Sequence, residues 1–270
     1  MPAIGQSSHT WASPMQRTPR SRRAALAVAL LLALSAPQAA AAQAATPAAP
    51  TARLAYTAKI LIATNVFTKP GQGIKLRLPT HAQWGGGQNV LLVLDTMMVN
   101  GTTWLRVALP NRPNGSSGWI REDFVTLSTS RWRITVNRDV HTVTVYRDGR
   151  KLRSFPAVIG AAATPTPRGL YAIYEKLPQP DPKGFLGPWA LHLTAFSNVL
   201  LNYGGGPGRV AIHGRDGASL ADPLGSSASH GCVRVDDANV IWMAHVVPLG
   251  TPVLITGAEQ VRPEPRPPNG

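Results

Sequence analysis

The apolar segments of this 270-residue chain are short, and each is cut off by residues that turn a backbone. Lys59 to Ala63, Val90 to Leu94 and Trp104 to Ala108 are divided by Pro70-Gly71, Gly85-Gly86-Gly87 and Asn100-Gly101. Runs of this length between Gly, Pro and Asn-Gly read as strands, because a type I′ hairpin needs positive φ at both central residues. The 25 Gly and 25 Pro likewise favour turn-rich β structure over a helical bundle. With 44% hydrophobic residues the chain can bury a sizeable core, and its length suits one large or two modest domains. The fold expected is mainly β, with one small all-β unit over residues 53–128 and a second unit over 131–257.

Within the second unit, Arg131 to Val136 and Val140 to Tyr146 alternate polar with β-branched or aromatic residues. Asp148-Gly149 then turns the chain into Arg150 to Ile159, giving an antiparallel meander. The Pro-rich stretch from Thr164 to Gly169 forces an extended turn before another strand, Leu170 to Tyr174. Residues 178–188, rich in Pro, Gly and Lys, suit either a loop over a binding site or an ordinary solvated loop. The glycines at 204–206 lack a following helix and lysine, which rules out a phosphate loop. Beyond Cys232 the period changes: Asp236 or Asp237 can cap a helix in which Ala238, Ile241 or Trp242, and His245 recur, before Pro248-Leu249-Gly250 ends it. Thr251 to Thr256 reads as a last strand, and 258–270 as a disordered, proline-rich tail.

The N-terminus reads as an address. Residues 1–23 end in an arginine cluster, Ala24 to Leu34 is unbroken and apolar, and Ala39 to Ala45 offers small-x-small cleavage sites, the layout of a signal peptide over 1–44. The apolar run is short for a bilayer span, and a retained anchor helix is the alternative. Ser21-Arg22-Arg23-Ala24-Ala25-Leu26 also resembles a twin-arginine signal, so both the Sec and the twin-arginine routes stay open, with the cell envelope as destination. Residues 45–52 form an Ala/Pro/Thr linker. Formal net charge is +14, and 1–44 carries four arginines and no acid, so +10 remains on the rest. That excess favours anionic partners such as a cell wall. It forms no basic stripe interleaved with aromatics, which argues against nucleic acid.

Cys232 is the sole cysteine, so outside the cytoplasm it has no intramolecular disulfide partner and is either a reactive thiol or an inert core residue. A thiol attacks carbonyls as thiolate and needs a base or cation within reach. His213 ends the apolar run Val210-Ala211-Ile212 and arrives from a different segment, making it the more plausible base. His230 lies two residues before Cys232 and, in an extended segment, projects to the same face. Gly231 has no side chain, so the Gly231 and Cys232 N–H groups are candidates for an oxyanion hole. A zinc set of His213, His230 and Cys232 is a competing reading, although no further ligand pattern accompanies it.

His213-Gly214 followed at a distance by Ser229-His230-Gly231-Cys232 and then Arg234 resembles the active-site signature of the L,D-transpeptidase (YkuD-like) catalytic domain, over roughly residues 131–257. Ahead of it, Trp104-Leu105-Arg106-Val107, Asn114-Gly115 and Gly118-Trp119-Ile120 resemble the closing strands of a bacterial SH3-like barrel, which would bind wall, orient substrate, or simply shape the catalytic groove. The resemblance implies a β-rich enzyme of peptidoglycan whose Cys232 forms a thioester with a stem peptide, with His213 as proton donor and acceptor and no metal or organic cofactor. His230 and Gly231, supported by Ser229 and Gly214, would shape the oxyanion region. Arg234 would organise the site or bind a substrate carboxylate, with a structural ion pair as the alternative. Carbapenem β-lactams are the inhibitors such a thiol would meet. A wall-binding protein with an inert Cys232 is the reading from another class.

Overall fold

The computed structural model describes residues 46–258. The signal segment over 1–44 and all but the first residue of the tail expected over 258–270 lie outside the described residues. Seven strands come first: β1 (Ala55–Ile60), β2 (Thr64–Lys69), β3 (Gln72–Leu78), β4 (Val90–Val99), β5 (Thr102–Ala108), β6 (Ser117–Arg121) and β7 (Val125–Ser130). They hydrogen-bond in the order β3-β2-β6-β5-β4-β1-β7, each pair antiparallel. The β4–β5 turn has the two positive φ angles that its sequence demands, 50° at Asn100 and 75° at Gly101. Val66, Leu91, Val93, Leu105, Val107 and Ile120 are buried from water and form the core of this sheet.

The second sheet begins with β8 (Trp132–Asn137), β9 (Thr142–Arg147) and β10 (Arg150–Pro156), the antiparallel meander expected. It continues through β11 (Ile159–Gly160), β12 (Gly169–Pro178), β13 (Trp189–Phe196), β14 (Arg209–His213), β15 (Ser227–Ser229), β16 (Val233–Arg234), α1 (Asp237–Val246) and β17 (Pro252–Thr256). Eight of these strands form one sheet, ordered β10-β9-β8-β17-β12-β13-β14-β16, and β11 pairs with β15 in a small parallel ribbon. Both β17 against β8 and β16 against β14 run parallel. The last strand therefore enters between β8 and β12, closing the middle of the sheet with the end of the chain.

Two expectations about elements need correction. Strand β13 was not anticipated, and β12 runs four residues past Tyr174. Residues Ala190 to Phe196 are nearly all buried, on both faces of the sheet, so His192 and Thr194, which alternate with apolar neighbours, do not mark a solvated face. In α1 the buried positions are Val240, Met243 and Ala244, continued by Val247, while Ala238 and His245 are exposed. The helix is apolar over most of its length, and two stripes of three-and-four spacing overlap in it. Packing against β13 and β14 selects the one starting at Val240.

The two sheets meet through a buried carboxylate. Glu175 of β12 accepts hydrogen bonds from the Trp84 N–H (3.1 Å) and the Gly85 N–H in the β3–β4 loop, and it pairs with Arg209 of β14. Trp84 in turn lies under the Arg209 guanidinium, 4.4 Å from it, and edge-on to Tyr174 and Phe196. The loop packs closely on β12 at Gly85, where a Cβ would stand 2.3 Å from Leu177 Cδ2 and 3.2 Å from Glu175 Oε1. Glu175→Gln leaves the Arg209 charge without its counter-ion in a site where side chains are 15% and 2% exposed, and should destabilise the protein by about 3–5 kcal/mol in denaturant unfolding. A loss under about 1 kcal/mol would mean the pair is solvated and contributes no more than a surface bridge.

Candidate active site

Strands β14 and β16 carry the site. Their parallel register pairs Ile212 with Val233 and His213 with Arg234. Side chains alternate along a strand, so Ile212 and Val233 face the core while His213 and Arg234 share the opposite face. Cys232 immediately precedes β16, and its Sγ lies 3.9 Å from the carbonyl oxygen of Arg209 at the start of β14. The separation in sequence is bridged by residues 214–228, which leave the sheet and return through β15.

Cys232 follows a tight turn. Gly231 has φ of +115°, a conformation that residues with a Cβ avoid, so His230 and Cys232 do not lie along one extended strand as the sequence reading supposed. Buried Ser229 ties the turn together: its Oγ accepts from the Gly231 N–H (3.1 Å) and donates to the Cys232 carbonyl (2.6 Å). That contact occupies the Gly231 N–H, which corrects its expected role as an oxyanion donor and leaves the Cys232 N–H as the nearby candidate. His230 is exposed, and its ring lies against Tyr203 with 5.1 Å between centroids. His230, Tyr203, Leu200, Arg209 and Cys232 line a pocket of about 30 Å³, the room one water takes. The thiol itself is partly buried, 3.9 Å from the Arg209 carbonyl oxygen. Burial pushes its pKa above the usual thiol value, against the Ala211 N–H and the Arg234 and Arg209 charges, which pull it down.

His213 has no exposed surface. Its Nδ1 lies 2.6 Å from the Gly214 carbonyl oxygen, which can only accept, so Nδ1 carries the proton and Nε2 offers a lone pair. Among the described residues that Nε2 is buried with no hydrogen-bond partner. Burial, with the Arg234 charge adding to it, lowers the imidazole pKa to about 4, against the pull of the Gly214 and Leu186 carbonyls. At neutral pH the site therefore holds a thiol and a neutral imidazole rather than a thiolate–imidazolium pair. Gly214 serves through its carbonyl: its N–H goes to the Trp189 carbonyl (3.2 Å), so an oxyanion role for it is also corrected. A Cβ at Gly214 would come within 2.3 Å of Asp237 Oδ1 at the start of α1, which explains the glycine.

Arg234 is 1% exposed. Its guanidinium pairs with Asp222 and stacks on Phe185, 4.6 Å from the ring centroid. It is enclosed rather than presented, which corrects the expectation of a substrate-binding arginine in favour of the ion pair. Asp222→Ala strands that charge inside the protein and should cost about 3–5 kcal/mol of stability, read from the urea midpoint. The 178–188 loop lies against the site: Phe185 is 6.4 Å from the His213 ring, and Gly187 packs so closely on Gly214 that a Cβ would meet its Cα at 2.8 Å. Sequence reasoning missed Arg209, Glu175, Tyr203, Phe185 and Asp222, none of which belongs to a local pattern around the cysteine. Among the described residues no three His, Cys, Asp or Glu side chains converge as a metal site, so His213, His230 and Cys232 do not form the zinc set weighed from the sequence.

A lone thiol just ahead of β16 and a buried imidazole at the end of its partner strand β14 define the class, a β-rich domain with a cysteine and a histidine on adjacent segments. Residues 131–255 match the family model YkuD, described as the L,D-transpeptidase catalytic domain. The YkuD protein of Bacillus licheniformis is 33% identical over 128 residues, covering 47% of this chain and 67% of that one. Its counterpart in Bacillus subtilis is 30% identical over 127 residues with the same coverage. Among solved structures, an L,D-transpeptidase from Mycobacterium smegmatis aligns at 21% identity over 57% of this chain and 90% of that chain, with a TM-score of 0.36. The chain belongs to the YkuD family of L,D-transpeptidase catalytic domains.

Proposed function

We propose that this protein is an exported peptidoglycan L,D-transpeptidase acting through a Cys232 thioester. The observation that carries the proposal is the state of His213: its Nδ1 proton is fixed on Gly214, and Nε2 is left as a buried, unpartnered acceptor on the strand that pairs with β16, which Cys232 immediately precedes. In the first half-reaction, Nε2 takes the Sγ proton as sulfur attacks the carbonyl between the third residue of a stem tetrapeptide, a diamino acid, and the fourth, D-Ala. The Cys232 N–H stabilises the oxyanion. The C–N bond breaks, His213 protonates the departing amine, and D-Ala leaves a thioester behind. In the second half-reaction an amine of a neighbouring stem attacks the thioester, passes its proton to Nε2, and the thiol is restored with a 3→3 cross-link formed. Water in place of the amine would release a tripeptide and make the enzyme an L,D-carboxypeptidase.

The surroundings support the reading. Arg209 and Arg234 hold positive charge beside the sulfur and favour the thiolate as it forms. Arg112 and Asn114, from the β5–β6 loop, hold the loop after β13 by bonds to the Ser197 (2.7 Å), Pro207 (2.9 Å) and Phe196 (2.7 Å) carbonyls, so residues 53–128 shape the wall of the thiol pocket. Their assignment as an SH3-like domain, with the catalytic domain at 131–257 and delivery to the envelope by residues 1–44, belongs to the same proposal. Purified protein incubated with a disaccharide-tetrapeptide and analysed by mass spectrometry provides the test. A dimer lighter by one D-Ala is the expected product; a tripeptide alone assigns the carboxypeptidase reaction, and unchanged tetrapeptide overturns both.

A further inference from the structure

Away from the thiol, four arginines converge on an open groove of about 630 Å³: Arg53, Arg131, Arg147 and Arg150, beside Asp148 and Gly149. We infer that this groove binds a linear polymer bearing phosphate groups. None of its lining residues lines the thiol pocket.

The four cations come from separate parts of the chain. Arg53 precedes β1, Arg131 joins β7 to β8, and Arg147 and Arg150 flank the β9–β10 turn. Their backbones are fixed. Thr51 Oγ1 accepts from the Arg53 and Leu54 N–H groups at 3.2 and 3.0 Å. The Asp148 N–H donates to the Arg131 carbonyl at 2.9 Å. The Arg53 stem lies so close over Gly149 that a Cβ there would meet its Cγ at 2.8 Å. Arg147 rests on the Trp132 ring at 5.3 Å. A single lining carboxylate, Asp148, faces them, bonded to Arg131 at 2.8 Å and 4.0 Å from Arg147. Among the described residues Arg53 and Arg150 have no carboxylate partner.

Charge on an edge strand has a simpler use, since cations on β10 discourage pairing with a second sheet. That accounts for Arg150 with its neighbours Lys151 and Arg153, and for neither Arg53 nor Arg131, which lie off the edge strand and line the same groove. The guanidinium fork matches phosphate oxygens two at a time, and several forks along one groove suit successive phosphates of a chain better than a flat bilayer. The net charge of +10 outside residues 1–44 strengthens the attraction at long range.

The full-length protein is titrated with inorganic polyphosphate by calorimetry at several salt concentrations, and with phosphatidylglycerol vesicles in a separate arm. The triple variant Arg53→Gln/Arg147→Gln/Arg150→Gln should bind polyphosphate at least about tenfold more weakly and with a shallower dependence on log salt. A control with the same charge removed from the first sheet, Lys59→Gln/Lys69→Gln/Arg77→Gln, should keep the wild-type affinity within about twofold. Asp148→Asn, which suits the positive φ of 54° at that turn, should tighten binding, a gain that misfolding cannot mimic. Equal loss in the control and the triple variant overturns the groove, as does unaltered binding in the triple variant or in Asp148→Asn. Binding to vesicles without binding to polyphosphate overturns the polymer as occupant.

Discussion

Cys232→Ala is expected to abolish both the release of D-Ala from a disaccharide-tetrapeptide and the mass gain of the intact protein on exposure to a carbapenem. The chain contains one sulfhydryl, so no second thiol can substitute. Loss of a nucleophile in a covalent mechanism costs on the order of 10⁴–10⁶ in turnover, which places the variant at the limit of detection. The substitution should leave the fold intact, because the position is only partly buried and sits beside the small thiol pocket. Cys232→Ser separates the two requirements. A hydroxyl is far less acidic than even this burial-raised thiol, so binding persists while acylation falls by several orders of magnitude. The check is intact-protein mass spectrometry in parallel with product analysis. A carbapenem adduct on Cys232→Ala, or turnover within about tenfold of wild type, would remove the thiol from the reaction and revive a wall-binding role for the protein.

The parts of this site that the sequence made legible are those in which one residue type is chemically scarce. A lone cysteine preceded by Ser229-His230-Gly231 and a histidine at the end of a β run could be found without coordinates, and in the fold the strand ending in His213 pairs with β16, which begins one residue after Cys232. Turn positions were legible for the same kind of reason: Asn100-Gly101 and Asp148-Gly149 have few other conformations open to them, and all four residues adopt positive φ. The reading failed where several partners compete for one group. The Gly231 N–H looked free, but Ser229 Oγ reaches it from two residues away. Arg234 looked available to a substrate, but Asp222 and Phe185 arrive from loops distant in sequence and enclose it. Glu175 sits in an apolar strand with nothing nearby to announce it. Its partners Trp84, Gly85 and Arg209 lie on either side of it in sequence, and only the packing of one sheet against the other joins them.

His213→Gln should lower kcat/KM by about 10²–10⁴ and change the shape of its pH dependence. In the wild type the imidazole titrates near pH 4 because it is buried beside Arg234, and the thiol titrates above its usual range because it too is desolvated. Activity that needs a neutral imidazole and a protonated thiol therefore rises through about pH 4 and stays level across neutrality. The glutamine variant lacks a base, so attack must await a thiolate formed by the solvent. Its rate should have no acid limb near 4 and should climb about tenfold per pH unit toward the alkaline thiol pKa. Stability carries a matching signature. The folded pKa lies below the ordinary value of 6.5, so above 6.5 the wild type gains nothing further from this group, and as pH falls from 6.5 to about 4 it loses on the order of 3 kcal/mol. The variant should be spared that share of acid destabilisation, although His192, lowered to about 3 by burial and by Arg209 and His213, continues to supply its own. Two profiles measured on one pair of proteins decide the role. If His213→Gln keeps the acid limb and the wild-type rate within about threefold, His213 is a structural imidazole and the base lies elsewhere; if the acid limb and the acid destabilisation disappear together, a single neutral imidazole accounts for both.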